Sequence, residues 1–150
     1  MTKLKMYVGT AIVALATVSN CSQLSSPKPK VRKELVRQVY DMAIKEGERN
    51  QAGSLRGGFP VLYNSIIYGV VGEETQQGIR LLEVLGNNLN KNGLYSTIYF
   101  ADVLLDGTID GYKIIGMDGT PIELTNVELS QYFESTLEGI IHSRKEKDKQ

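Results

Sequence analysis

Three stretches of the chain carry apolar residues at helical spacing, with polar residues on their other faces. We predict helices from about Val31 to Glu46, from Glu73 to Leu89, and from the Thr125–Glu128 capping box to about Ile141. The apolar positions that define them are Leu35, Val36, Val39, Tyr40 and Ala43 in the first, Ile79, Leu82, Leu85 and Leu89 in the second, and Leu129, Tyr132, Phe133, Leu137, Ile140 and Ile141 in the third.

The segment 94–124 has the pattern of a β-meander instead. Leu94–Phe100 and Tyr112–Ile115 are rich in β-branched and aromatic residues, and Ile122–Leu124 predicts a short third strand. Asp-Gly pairs at 106–107, 110–111 and 118–119 punctuate the segment, as is typical of hairpin turns. We therefore predict an α+β fold in which a small antiparallel β-meander packs against about three helices.

Residues 47–60 hold several glycines and Pro60, which predicts a mobile loop. The run Gly53–Gly58 is rich in glycine, yet no Gly-Lys-Ser/Thr follows it, so it does not match a phosphate-binding loop. The apolar runs Val61–Tyr63 and Ile66–Val71 are compatible with a buried strand or a short helix.

Composition bounds the class of protein. Hydrophobic content is 41% and charged content 23%, as in globular domains. The formal net charge is +0, so no basic excess exists to neutralise phosphates, and we exclude nucleic acid as the main partner. With one cysteine in the chain, no intramolecular disulfide can form.

The N-terminus has the layout of an export signal. Lys3 and Lys5 precede an uncharged, largely apolar stretch from Met6 to Asn20, and Cys21 follows directly. A cysteine placed there, after Val18 and Ser19, resembles the lipobox of bacterial lipoproteins. The resemblance covers residues 1–21 and implies a signal peptide at 1–20, lipid on Cys21, and attachment to the cell membrane or outer membrane.

Other fates of this segment remain open. Ala14-Leu15-Ala16 matches an ordinary cleavage site, which would release a soluble secreted protein, and an uncleaved anchor is a third possibility. Residues 21–30 are rich in Ser, Pro and Lys and predict a tether. We then expect a single α+β domain at 31–142 and a charged tail at 143–150.

One acidic cluster has the pattern of a cation site. Asp102, Asp106 and Asp110 recur at intervals of four, and glycines directly follow Asp106 and Asp110. Hard cations such as Ca²⁺ prefer oxygen ligands on a tightly turning loop. The candidate ligands are Asp102, Asp106, Asp110 and the Thr108 oxygen. The alternative is that the aspartates only form turns by accepting hydrogen bonds from their own backbone.

Catalytic chemistry has little support in the sequence. His142 is the only histidine and follows the last apolar stripe, at the border of the charged tail, and Cys21 is assigned to lipidation at the N-terminus. A hydrolase that uses two carboxylates remains an alternative, since Asp and Glu are plentiful.

Tyr95, Thr97 and Tyr99 alternate along one predicted strand and would share a face that could bind an envelope protein or a glycan. A helix covering that face is the alternative. We predict a lipid-anchored, exported binding or structural module of the cell envelope, with a Ca²⁺ loop at 102–111 as an optional feature.

Overall fold

The computed structural model describes residues 27–90 and 92–149. The predicted signal peptide 1–20 and Cys21 lie outside the described residues. The elements, in chain order, are α1 (Lys33–Ile44), β1 (Glu48–Arg49), β2 (Leu55–Tyr63), β3 (Ile66–Glu74), β4 (Arg80–Asn88), β5 (Tyr95–Val103), β6 (Gly111–Gly116) and α2 (Asn126–Asp148).

The strands form one six-stranded sheet in the order β1-β2-β3-β4-β5-β6, and every neighbouring pair is antiparallel. A two-residue turn joins β2 to β3, and both its residues, Asn64 and Ser65, have positive φ (54° and 66°). That geometry matches the right-handed twist of the two strands. The prediction of an α+β fold with an antiparallel meander is confirmed, although the sheet is larger than predicted.

Both helices pack on the same face of the sheet, which we call the inner face. Phe100 of β5 stacks on Phe133 of α2 with ring centroids 4.4 Å apart, and Tyr40 of α1 lies against Gly72 of β3. Burying this apolar layer is the main driving force for folding. The core also includes Val36, Val39, Phe59, Val61, Ile66, Tyr68, Val70, Leu82, Val84, Ile98, Ile114, Leu129, Leu137 and Ile140.

The first and last predicted helices are confirmed, with bounds shifted by a few residues. In α2 the Thr125 side chain accepts a hydrogen bond from the Glu128 backbone N–H, and Glu128 reaches back to Thr125 N–H, which completes the capping box. α2 continues to Asp148, so residues 143–148 of the predicted tail are helical.

The predicted helix from Glu73 to Leu89 is wrong. The segment instead holds the end of β3, a turn and strand β4. Leu82 and Val84 point to the inner face, while Leu81, Glu83 and Leu85 point to the other. Because both faces of β4 are largely apolar, the period-two alternation is hidden, and the leucines coincide with a helical spacing.

The predicted loop over residues 47–60 is also wrong in its second half, because β2 begins at Leu55. A side chain at Gly57 would come 2.2 Å from the Ala43 carbonyl oxygen, so glycine here permits close packing against α1 and does not mark a loop.

We call the opposite face of the sheet the outer face. It is formed by Arg56, Gly58, Pro60 and Leu62 of β2, Ile67, Gly69, Val71 and Glu73 of β3, Leu81, Glu83, Leu85 and Asn87 of β4, Thr97, Tyr99, Ala101 and Val103 of β5, and Gly111, Lys113 and Ile115 of β6. Within the described ranges, the residues packed in the core cluster come from the helices, the connecting segments and the inner face, and none comes from the outer face.

Residues 27–30 of the predicted tether lie on the domain. The Pro29 carbonyl accepts from Ile109 N–H, Lys30 forms an isolated bridge with Thr108, and Lys30 N–H donates to Ser130 Oγ. No helix in the described part of the chain is long and apolar enough to cross a bilayer.

Candidate functional site

Two polar clusters stand out from the rest of the fold. One is the acidic loop after β5, and the other is a row of charged residues on the outer face.

The acidic loop brings its three aspartates together. Oxygen atoms of Asp102, Asp106 and Asp110 all lie within 4.8 Å of one another. Asp102, the second-last residue of β5, lies on the inner side and is 1% exposed, whereas Asp106 is exposed and Asp110 is half-buried. The spacing that suggested a cation site therefore does place these carboxylates side by side.

The same carboxylates already accept hydrogen bonds. The two oxygens of Asp102 accept from Asp106 N–H (3.3 Å) and Gly107 N–H (2.8 Å), and those of Asp110 accept from Val103 N–H (2.7 Å) and the Lys28 ammonium (3.1 Å). Asp106 Oδ1 accepts from the N–H of Thr108 at 2.9 Å. These contacts are those expected of turn-forming aspartates. Whether the loop also binds Ca²⁺ stays a prediction.

The loop contains strained backbone. Leu104 and Leu105 both have positive φ (81° and 57°), which costs roughly 1 kcal/mol or more for each non-glycine residue. Arg37 of α1 donates to the Leu105 carbonyl at 3.2 Å, and Leu105 itself is fully buried. The Asp102 carboxylate and Arg37 thus hold a conformation that the two leucines would not adopt alone.

The second cluster crosses four strands of the outer face. Arg56 of β2 pairs with Glu73 of β3, with Nη2 and Oε2 3.2 Å apart. Glu83 of β4 accepts a hydrogen bond from the Tyr99 hydroxyl of β5 at 3.0 Å. Glu73 is 7% exposed and Glu83 4% exposed, although they lie on the face without helices.

Two polar atoms of this cluster lack partners. Among the described residues, Glu83 Oε1 and Arg56 Nε are the buried side-chain atoms without a hydrogen bond. Burial raises the pKa of Glu83 to about 7, with the Tyr99 hydrogen bond opposing the shift and the negative charge of Glu73 adding to it. Burial beside Glu83 likewise raises the pKa of Tyr99. Glu83 is therefore a carboxyl group that takes up or releases its proton near neutral pH.

The rest of the outer face is largely apolar. Val71, Leu81 and Ala101 are buried next to Glu83, and Leu62 and Ile67 form a directly opposed cross-strand pair with 64% and 40% exposure. A sheet face that meets only water usually carries polar residues at alternate positions. The outer face does not follow that rule.

The three residues of the predicted binding face are divided by a β-bulge. The register shifts between Tyr95 and Thr97, so Tyr95 turns to the inner side, where its ring lies edge-on to Tyr132 at 5.4 Å. Thr97 and Tyr99 remain together on the outer face. The expectation that all three share one face is corrected by this bulge, a feature that strict alternation cannot anticipate.

Sequence reasoning missed Arg56, Glu73 and Glu83. Glu83 is a single carboxylate within the apolar run Leu81–Leu85. If this segment is interpreted as a strand, a lone carboxylate among apolar residues indicates a candidate functional residue. His142 is exposed on α2, away from both clusters in sequence. No protein family, curated protein or solved structure matches this chain.

Proposed function

We propose that the chain is an exported, lipid-anchored binding module of the cell envelope and that the outer face is its binding surface. The observation that carries the proposal is the apolar character of this face, on a sheet whose helices all pack on the other side. The exposed part of this face is the pair Leu62 and Ile67, with 64% and 40% exposure, and exposed apolar patches mark interaction sites in soluble domains.

The arrangement of the outer face supports binding more than catalysis. Leu62 and Ile67 lie open at one end, while the polar atoms of Glu83 are enclosed by neighbouring side chains. A catalytic carboxyl group must come within hydrogen-bond reach of its substrate. The buried Glu83 carboxyl group is therefore better placed to set the charge of the outer face than to contact a substrate.

The membrane part of the proposal rests on Cys21 and the residues before it. Mass spectrometry of the native protein tests this part. We expect the mature chain to start at Cys21 and its N-terminal peptide to carry the added mass of a lipid. The Cys21→Ser variant should lack that added mass. Cleavage after Ala16 would instead indicate a soluble secreted protein.

The binding part can be tested in cells by photo-crosslinking. A photo-reactive phenylalanine at Ile67 probes the outer face, and the same residue at Val127, which is 67% exposed at the start of α2, is the control. We expect adducts from position 67 and not from position 127. Equal labelling, or none at either position, would contradict binding through the outer face.

A carboxylate hydrolase is the second candidate, favoured by one observation. Glu73 is paired with Arg56, whereas burial raises the pKa of the nearby Glu83 to about 7, and hydrolases of this type combine an ionised and a protonated carboxyl. Release of nitrophenol from a panel of nitrophenyl glycosides tests the idea. Activity that is lost in Glu83→Gln would support a hydrolase, and inactivity of the wild-type chain on the whole panel would count against it.

A structural Ca²⁺ in the loop 102–111 is a third, separable proposal, supported by the proximity of its carboxylates. It predicts a melting temperature that rises with calcium and falls with chelator, because binding to the folded state alone is stabilising. The same melting temperature with calcium and with chelator would refute it.

A further inference from the structure

We infer that Arg56 and Glu83 form a pH-dependent salt bridge across the outer face. When Glu83 releases its proton to solvent, Arg56 Nε–H donates a hydrogen bond to Glu83 Oε1, while Arg56 Nη2 stays on Glu73. The structure has the Arg56–Glu73 half of this arrangement and leaves the Glu83 half open. The inference concerns contacts within one chain and does not depend on the proposed function.

The two unpartnered atoms of the outer face are complementary to each other. Across the part of the chain that the structure describes, Arg56 Nε and Glu83 Oε1 are the buried side-chain atoms without a hydrogen bond, and one is a donor whereas the other is an acceptor. A buried polar atom without a partner is costly. One hydrogen bond between Arg56 and ionised Glu83 satisfies both atoms at once.

The strand register places the two side chains near each other. Arg56 is directly opposite Glu73, and Glu73 is opposite Leu81, which lies two residues before Glu83 on the same face of β4. Glu73 and Glu83 are therefore diagonal neighbours, which long side chains can connect on a sheet. Burial raises the pKa of Glu83 to about 7, and the positive charge of Arg56 is close enough to oppose that shift.

The Arg56 guanidinium group is oriented for a second hydrogen bond. Its Nε–H and Nη2 groups lie on one edge of the planar group and donate in nearly parallel directions. Nη2 donates to Glu73 Oε2 at 3.2 Å, so the adjacent Nε–H also points away from β2. One edge of the arginine can thus serve two carboxylates, with one N–H group for each.

The groups that face Glu83 explain why its proton controls the contact. Tyr99 of β5 donates to Glu83 Oε2 at 3.0 Å, Glu73 approaches from β3 and Arg56 from β2. Lys113 of β6 lies opposite Tyr99, exposed and one strand further away. Ionised Glu83 adds a second buried negative charge beside Glu73, and Arg56 is the cation placed to neutralise it.

NMR of the full chain tests the inference through the Arg56 Nε–H signal. Between about pH 5 and pH 9, we expect this signal to shift with the same midpoint as the side-chain carboxyl carbon of Glu83, near pH 7. In Glu83→Gln the Arg56 signal should not shift. Arg32 Nε–H, which donates to Glu134 at 2.8 Å in an exposed pair, is the internal control and should not follow this curve.

Two results of this titration would overturn the inference. One is an Arg56 signal that does not change with pH in the wild type. The other is a change that persists in Glu83→Gln, which would assign it to another carboxyl group such as Asp102, whose pKa burial also raises to about 7.

Arg56→Lys provides a second, independent test. Lysine keeps a positive charge beside Glu73 but lacks the planar edge with two parallel donors. We expect the midpoint of the Glu83 carboxyl signal to rise by at least about half a pH unit, because the ionised form loses a hydrogen-bond donor. The matched control is Arg49→Lys on β1, whose side chain donates to the Gly53 carbonyl, and it should leave that midpoint unchanged. The same Glu83 midpoint in Arg56→Lys and the wild type would contradict the salt bridge.

Discussion

Glu83 shows how one residue on a sheet can make stability depend on pH. Its pKa is about 7 in the folded chain because burial disfavours the charged form, whereas an unfolded chain returns it to the ordinary value of 4.5. The folded state therefore holds a proton that the unfolded state loses between these two values. The resulting stabilisation is fully present below pH 4.5 and is lost as the pH rises through 7.

We predict that Glu83→Gln removes the contribution of Glu83 to this dependence, whereas Asp102, whose pKa burial also raises to about 7, continues to contribute. Glutamine has the shape of the protonated carboxyl group and does not ionise, so the variant should match the wild type at low pH and exceed it at pH 8. The gain in free energy of unfolding should be on the order of 3 kcal/mol, from a shift of roughly two to three pKa units. Urea denaturation at a series of pH values measures it, with the exposed Glu123→Gln as the control. Parallel pH curves for the wild type and Glu83→Gln would contradict the prediction.

Asp102 is the buried carboxyl group of the acidic loop, as Glu83 is that of the outer face. Its carboxylate accepts two backbone N–H groups and holds the strained leucines that follow it. We predict that Asp102→Ala lowers the free energy of unfolding by about 2–4 kcal/mol, because buried N–H groups lose their acceptor and the loop relaxes.

Asp118 provides the matched control for that measurement. It too accepts a hydrogen bond from a nearby backbone N–H, that of Thr120 at 3.0 Å, and the hydrogen bonds from Thr120 lower its pKa, but it is exposed to solvent. Asp118→Ala should therefore cost clearly less stability than Asp102→Ala in the same denaturation experiment. Equal losses would mean that the burial of Asp102 contributes nothing to the loop.

At the scale of elements, α2 and β2 meet at a glycine. A Cβ at Gly139 would come 2.2 Å from the Tyr63 ring, so this ring can lie against the helix in its present position only because the glycine has no Cβ. Helical propensity alone favours alanine here by about 1 kcal/mol. Packing therefore predicts that Gly139→Ala destabilises the fold, whereas helical propensity predicts that it stabilises the fold.

We predict that packing prevails and that Gly139→Ala lowers the free energy of unfolding by about 1–3 kcal/mol. Tyr63→Ala should remove the clash, so the double variant should be more stable than the sum of the single effects implies. A double-mutant cycle by thermal or chemical denaturation measures this coupling. Additive effects, or stabilisation by Gly139→Ala alone, would show that the helix shifts freely over β2.

The elements also show how far the sequence could be read. Helices α1 and α2 each have one apolar face and one polar face, so their periodicity was visible, and the Thr125 capping box marked the start of α2. Strand β4 was missed because Leu81 and Leu85 on its outer face fill the positions at which polar residues would have revealed alternation. Tyr95 was assigned to the wrong face because a bulge depends on cross-strand register, which one sequence does not contain.

At the scale of the molecule, strand β4, which the sequence predicted to be helical, forms part of the candidate binding surface. A strand with two apolar faces is hard to recognise in a sequence, and it is also unfavourable to leave half exposed. Leu81 and Leu85, the residues that obscured β4, lie on the outer face, where the exposed pair Leu62 and Ile67 also lies. Glu83 escaped notice for a related reason, since its significance depends on neighbours from three other strands.

The N-terminal boundary of the folded domain is set by contacts of residues 29–32. Pro29 and Val31 form backbone hydrogen bonds with Ile109 and Gly107 of the acidic loop, and Lys30 N–H donates to Ser130 Oγ of α2. The Arg32 guanidinium pairs with two carboxylates of α2, Glu134 at 2.8 Å and Glu138. Val31 is also 8% exposed and belongs to the core. The folded unit should therefore begin before residue 31, and the tether should be shorter than 21–30.

We predict that a chain starting at residue 27 melts at the same temperature as one starting at residue 22. A chain starting at residue 33 should lose at least about 2 kcal/mol of unfolding free energy, because the loop carbonyl and amide groups at Gly107 and Ile109 lose their partners. Circular dichroism melts of the three chains measure the difference. An equal loss on starting at residue 27 would extend the folded unit towards Cys21, whereas no loss on starting at residue 33 would mean that the contacts of residues 29–32 add nothing to stability and that the whole of 21–32 acts as a spacer.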